Sequence, residues 1–404
     1  MDKYEVLKKY YGYSEFRGMQ EEVIDSLLAF NDTIAILPTG GGKSVCFQIP
    51  ALMMDGITIV ITPLISLMYD QVRELKEIGV DAEFINSMED AQEVLGIYKR
   101  LKKIKILYVA PERLLNDVFI TFIKKVQVSY IIVDEAHTIM WHMDFRESFL
   151  NIKKFKNNFK YHIPMGLFSA TANKYTINEI KRVCGIYNPN IIVGMFDRTD
   201  LFYKIIRNQN KIEYINEYLK SKPCAPGIIY CNTRKEVTSL YEVLKNNYKV
   251  TYYHGGLDNK IKETNQNKFI NRDDYIMIAT NAFGMGINKP NIRFIINYNM
   301  PDSVESLSQM VGRASRDHKG GECIILYNNI DLRTIYFFIE QIDSTNKNLK
   351  EIEMVKRYKY YCMKSLKNIL TKPICMHKSI SLYFGEKIDD CKTMCSNCLE
   401  KYKI

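Results

Sequence analysis

Along the first half of the chain, short runs of aliphatic and β-branched residues alternate with longer stretches whose apolar positions recur every three to four residues. The runs at 33–37 (TIAIL), 57–62 (ITIVIT), 105–109 (KILYV), 130–135 (YIIVDE) and 164–171 (PMGLFSAT) are largely apolar, as strands buried on both faces are. Between them lie helical patterns such as SLMYDQVRELKEIG at 66–79. The alternation predicts βαβ units and a parallel sheet. After 189–206 (PNIIVGMFDRTDLFYKII) and the polar run 207–213 (RNQNKIE), the rhythm restarts with GIIYCN, VTYYHG, YIMIAT, RFIINYN and ECIILYN. A second α/β domain is expected, with its start between residues 196 and 211. Beyond residue 331 the strands cease, 332–370 reads as helix, and a cysteine cluster closes the chain. The expected division is 1–200, 201–335 and 336–404.

Composition narrows the class. At 404 residues, 47% hydrophobic and 25% charged, the chain is globular and neither disordered nor fibrous. No run approaches the ~18 apolar residues of a membrane span, and the start MDKYEVLKKYYGY lacks the apolar core of a signal peptide. The expectation is a soluble cytoplasmic protein, nucleoid-associated if bacterial, with no membrane partner. A net charge of +10 is compatible with a polyanionic partner but does not identify one.

The motifs carry more. In ILPTGGGKSV, at 36–45, a strand leads into a glycine-rich turn and then a helix. Thr39, Gly40, Gly41 and Gly42 let backbone N–H groups approach phosphates. Lys43 places a charge at the β- and γ-phosphates of ATP, and Ser44 offers a hydroxyl to Mg²⁺. The strict pattern begins with glycine where Leu37 stands, which affects only the entry to the turn. About ninety residues on, YIIVDEAH delivers two carboxylates at a strand end: Asp134 to hold Mg²⁺ through water, Glu135 to orient and deprotonate the attacking water. QMVGRASRD, at 309–317, presents Arg313 and Arg316 three residues apart, expected on one helix face as arginine fingers for the transition-state charge. Because they fall in the second domain, ATP would bridge the two.

Taken together, these segments resemble the superfamily-2 helicases, and specifically the RecQ family of DNA helicases, over nearly the whole chain. FRGMQ, TPLISLMYDQ, APERL, FSATA, IIYCNTR, YHGGL and ATNAFGMGINKP follow in the family's order. The resemblance implies two tandem RecA-like parallel-sheet domains followed by a small helical zinc-binding module. It implies that Gln20 reads the adenine edge, assisted by Tyr13, Phe16 and Arg17. Ser169 and Thr171 would couple hydrolysis to domain motion, and Gln309 would join the two arginines. Thr280, Gly284 and Gly286 would lie near the bound strand and nucleotide. In HTIMWHMDFR, at 137–146, an aromatic-rich loop would sense single-stranded DNA through Trp141, Phe145 and Arg146, a stacked indole contributing ~1–3 kcal/mol. Four departures stand out: this loop is one residue short before Trp141, Met143 replaces a histidine, Met310 an acid, and Ser315 a glycine.

Cys391, Cys395 and Cys398 lie at C-x₃-C-x₂-C spacing, and Cys375 precedes them by a helix-sized segment that includes YFGE. Four thiolates suit a closed Zn²⁺ site, with His377 a substitute for the least secure of them, Cys391. The sequence ends six residues after Cys398, so neither a winged helix nor an accessory helical domain is expected. The implied protein is a monomeric ATP-, Mg²⁺- and Zn²⁺-dependent helicase. It would travel 3′-to-5′ on single-stranded and forked DNA in repair or recombination. The alternatives are an RNA helicase and an ATP-binding strand annealer or regulatory switch of weak motor activity.

Overall fold

The computed structural model describes residues 1–38, 40–86, 90–140, 143–283, 289–342 and 349–403, apart from the side chains of residues 66, 143–147, 350 and 351. The chain divides into two compact units, Met1–Met195 and Phe196–Ile404.

The first unit is built on β1 (Thr33–Ile36), β2 (Ile57–Ile61), β3 (Ala82–Ile85), β4 (Ile106–Val109), β5 (Val128–Val133), β6 (Met165–Ser169) and β7 (Asn190–Val193). They form one parallel sheet in the order β3-β4-β2-β5-β6-β1-β7. The inner strands β1, β2, β4, β5 and β6 are buried at every position, because helices cover both faces of a parallel sheet. Phe47, Tyr108, Tyr130 and Phe168 fill one side of that core. The order sets β5, β6 and β1 side by side, so their carboxyl ends open onto one crevice.

The second unit holds β8 (Leu201–Arg207), β9 (Gly227–Tyr230), β10 (Val250–Tyr253), β11 (Ile276–Ala279), β12 (Phe294–Asn297) and β13 (Gly321–Tyr327). They are parallel in the order β10-β11-β9-β12-β13-β8. Helices Asn329–Glu340, Leu349–Thr371, Met376–Tyr383 and Ser396–Tyr402 follow. An exposed strand edge invites foreign pairing, and here the C-terminal helices cover β8. Tyr203 pairs with Cys395, its N–H donating to the Met394 carbonyl at 3.0 Å, and the Ile205 N–H reaches the Ser396 hydroxyl at 3.2 Å. On the helix Val304–Val311, the carboxylate of the half-buried Glu305 accepts from the Tyr383 and Tyr358 hydroxyls at 2.7 and 3.3 Å. The cysteine-bearing segment is therefore fastened to the second sheet and to the helix that leads into QMVGRASRD.

Two expectations differ from the structure. Strands β3, β7 and β8 were not anticipated. All three are sheet edges with partly exposed positions, so they lack the continuous apolar signature of the inner strands. Arg313 and Arg316 do not share a helix face. The helix ends at Val311 with Gly312 as its cap, and residues 312–317 form turns. Ser315 has φ +50°, a left-handed conformation that stops a helix, and its N–H bonds the Ile292 carbonyl at 2.9 Å.

Candidate active site and metal centre

The phosphate loop grows from β1. Leu37, 3% exposed, extends the strand by one ladder bond, its N–H to the Ser169 carbonyl at 3.0 Å, and packs in the core. The residue in place of the usual first glycine is thus a core plug that ties the loop's entry to β6. Gly40 and Gly42 then turn the backbone through φ +84° and +71°, which glycine adopts without Cβ strain. Gly42 caps the helix Lys43–Met53, so the first N–H groups of that helix, with Lys43 and Ser44, face the loop. Thr39 lies outside the described residues.

Gln20 is buried beneath this loop. Its Nε2 donates to the Gly41 carbonyl at 3.1 Å, and its Oε1 accepts the Arg17 N–H at 2.9 Å. The Arg17 guanidinium stands 5.3 Å from the centroid of the exposed Tyr13 ring. Phe16 instead packs against Tyr4, ring centroids 5.2 Å apart, and the apolar cluster of Val6, Leu7, Ile24 and Ile49.

Across the crevice, Asp134 and Glu135 follow β5. Asp134 is buried and its Oδ1 accepts the Glu135 N–H at 2.8 Å. Burial, and then the neighbouring carboxylate, raise the Asp134 pKa, whereas Lys43 opposes the rise. A cation relieves a buried carboxylate beside a second, half-buried one, so the donor set fits Mg²⁺. Glu135 has φ +50°, a strained backbone that turns its side chain toward the phosphate loop: Oε1 is 3.9 Å from Lys43 Nζ. Its Oε2 is 3.3 Å from His137 Nδ1, which in turn lies 3.0 Å from Ser169 Oγ. Burial lowers the His137 pKa and keeps the ring neutral. Ser169 Oγ closes the chain on Thr171, accepting its N–H at 3.1 Å and donating to its carbonyl at 2.9 Å. One line of contacts thus runs from Lys43 through Glu135 and His137 to Ser169 and Thr171. The sequence reading gave His137 no role, although it lies within the YIIVDEAH segment.

Trp141 lies outside the described residues, as do the side chains of Phe145 and Arg146, and Gly284 and Gly286. In the second unit, Thr280 is buried behind β11, its N–H bonded to the Tyr253 carbonyl at 3.2 Å. Gln309 is half-buried on the helix Val304–Val311, and Met310 points into the core. Arg316 is half-buried. Burial, then the adjacent Arg313 charge, lower its pKa to about 10, so it stays protonated at neutral pH.

The four cysteines do converge. The sulfurs of Cys375, Cys391, Cys395 and Cys398 all lie within 4.8 Å of one another, close to the ~3.8 Å of sulfurs on one tetrahedral zinc. Cys375 Sγ accepts the N–H groups of Cys391 and Lys378 at 3.3 and 3.5 Å, orienting it as a thiolate ligand. Its bond from the Cys395 thiol, and then these backbone donors, hold the Cys375 pKa well below the usual thiol range. His377 is not a ligand: Nδ1 meets Asp197 Oδ1 at 2.6 Å and Nε2 the Met394 carbonyl at 3.0 Å. Its role is to fasten the cluster to the segment that opens the second unit. Cys391 completes the group of four sulfurs that could hold Zn²⁺.

Three family models match in succession. DEAD/DEAH box helicase covers residues 17–180, helicase conserved C-terminal domain residues 210–318, and RecQ zinc-binding residues 330–399. The ATP-dependent DNA helicase RecQ of Bacillus subtilis is 39% identical over 98% of this chain and 66% of its own length. A protein of Acanthamoeba polyphaga mimivirus, provisionally named an ATP-dependent RNA helicase, is 34% identical over 98% of this chain and 72% of its own. The chain thus spans less than two thirds of the Bacillus subtilis protein's length. The structure of S. cerevisiae Dbp5 bound to RNA and ADP BeF3 superposes with a TM-score of 0.64 at 18% identity, covering 89% of this chain and 97% of that one. That likeness is one of fold, and it agrees with two RecA-like domains. With the zinc-binding segment matched in place behind both helicase domains, the chain belongs to the RecQ family of helicases.

Proposed function

We propose that the protein is an ATP-dependent DNA helicase or translocase that moves 3′-to-5′ on single-stranded and forked DNA, as a cytoplasmic monomer serving DNA repair or recombination. The observation that carries this reading is the line of contacts from Lys43 to Thr171, because it ties the group that would activate water to a segment outside the phosphate loop. Such a connection is what a motor needs and a passive nucleotide switch does not.

ATP binds with its phosphates on the N–H groups of Gly40 to Ser44 and on Lys43, and its base toward Gln20, Arg17 and Tyr13. Ser44 and Asp134 would hold Mg²⁺, which screens the phosphate charge. Glu135 orients the attacking water and takes its proton, while neutral His137 keeps the carboxylate aimed. Arg313 and Arg316 supply positive charge to the transferring phosphoryl group, with Gln309 in support. Trp141, Phe145, Arg146 and Thr280 contact the DNA strand, mostly without sequence preference.

The mimivirus relative keeps an RNA reading in play. Hydrolysis measured with DNA and RNA oligonucleotides of equal length separates the two. The proposal expects DNA to stimulate turnover and a labelled strand to leave a forked duplex only with ATP. Equal stimulation by RNA, or strand annealing without ATP-driven displacement, contradicts it.

A further inference from the structure

The segment that opens the second unit is held by contacts at Phe196, Asp197 and Arg198. Phe196 stacks on Phe384, centroids 4.3 Å apart, and the N–H groups of Phe196 and Asp197 donate to Glu386 Oε2 at 2.8 and 3.2 Å. Asp197 holds His377. Phe384 and Glu386 belong to YFGE, and His377 follows the first cysteine ligand by two residues, so the strap is anchored to the zinc module.

Its next residue reaches elsewhere. Arg198 makes a two-toothed contact with Asp200, Nε to Oδ1 at 2.8 Å and Nη2 to Oδ2 at 2.9 Å. The same Nη2 donates to the carbonyls of Ala314 and Ser315 at 2.9 and 3.1 Å. Those are the carbonyls between Arg313 and Arg316. Ser315 occupies a left-handed conformation that is uphill for a non-glycine residue. It holds that conformation through its N–H to Ile292, its hydroxyl accepting the Gly320 N–H at 2.9 Å, and Arg198 on its carbonyl.

We propose that Arg198 is a positioning residue: its guanidinium, fixed by Asp200, clamps the Ala314 and Ser315 carbonyls and so sets the direction of the Arg313 and Arg316 side chains, with the zinc module anchoring the strap behind it. Charge is not its means of action. A third guanidinium beside Arg313 and Arg316 repels them, and Asp200 offsets that repulsion, whereas the fork geometry reaches four oxygen atoms at once. Lysine keeps the charge but has no planar fork.

The inference rests on the reading that Arg313 and Arg316 act on ATP, and the test separates the two. Arg198→Ala, Arg198→Lys, Arg313→Ala and Arg316→Ala are compared as full chains for ATP hydrolysis with a thymidine oligonucleotide, for binding of a fluorescent ATP analogue, and for melting temperature. Both Arg198 variants are expected to lose about 10- to 100-fold in kcat, since misaiming a charged group by an ångström has that effect. KM and analogue affinity should stay within about threefold of the parent. Arg198→Lys keeps the stem and the charge, and it carries the test if the alanine variant melts early. Arg198 variants within twofold of the parental kcat, beside inactive Arg313→Ala, overturn the clamp. Parental rates in both Arg313→Ala and Arg316→Ala overturn the underlying reading, and the clamp with it.

Discussion

The phosphate loop and the arginine turn solve the same geometric problem by opposite means. Each must bend the backbone through left-handed φ values to present charged side chains. The phosphate loop does so with Gly40 and Gly42, at φ +84° and +71°, where no Cβ opposes the bend. The arginine turn does so with Ser315 and His318, at φ +50° and +55°, residues for which that conformation is uphill. It is therefore held from outside, by Arg198 from the strap, Ile292 from the preceding strand connection and Gly320 from the following one. A glycine turn carries its shape in its own residues, while a serine turn borrows its shape from partners outside it.

That contrast is open to attack, first through the metal. Stripping Zn²⁺ with a chelator, or Cys395→Ser, removes the ligand set that folds the module and should destabilise the second unit by several kcal/mol, read as a lower melting temperature with loss of bound zinc. Because the phosphate loop is built within the first unit, affinity for a fluorescent ATP analogue should hold steady as kcat falls.

A smaller effect is expected from the loop itself. At Gly42 an added Cβ would lie 2.2 Å from Gln20 Nε2 and sit at φ +71°. Moving Gln20 breaks its bonds to Gly41 and Arg17, so Gly42→Ala should weaken nucleotide binding by about 30-fold, equivalent to ~2 kcal/mol. Titration of the same analogue checks it.

The smallest change is expected at Ser315→Gly. Relief of ~1–2 kcal/mol of backbone strain is offset by losing the hydroxyl's bond to the Gly320 N–H, ~0.5–1.5 kcal/mol, and by the freer unfolded chain. Urea unfolding should place the variant within about 1 kcal/mol of the parent. A large loss would mean that the serine side chain, and not the clamp, maintains the turn.

The same contrast explains what could be read from the residues alone. TGGGKS, DEAH and the cysteine spacing are local signals, since the chemistry demands particular residues a few positions apart, and the inner strands betray themselves as unbroken apolar runs. The edge strands β3, β7 and β8 carry no such run because part of each faces outward. The end of the helix at Val311 was hidden because Ser315, unlike glycine, does not advertise a left-handed residue. The pairs Asp197–His377, Arg198–Ala314 and Glu305–Tyr383 join residues 78 to 180 positions apart, a distance at which no spacing pattern survives. His377 shows the converse error: proximity to Cys375 in sequence made it a candidate ligand, and only its two hydrogen bonds reveal it as a fastener.

The central claim, proposed above, is that Arg313 and Arg316 act on ATP during hydrolysis. Single-turnover ATP hydrolysis by Arg313→Ala, with enzyme in excess over ATP and saturating single-stranded DNA, tests it most directly. The account predicts a rate at least about 1,000-fold below the parent, the scale of a lost arginine finger, with nucleotide affinity unchanged. Hydrolysis at the parental rate would contradict it.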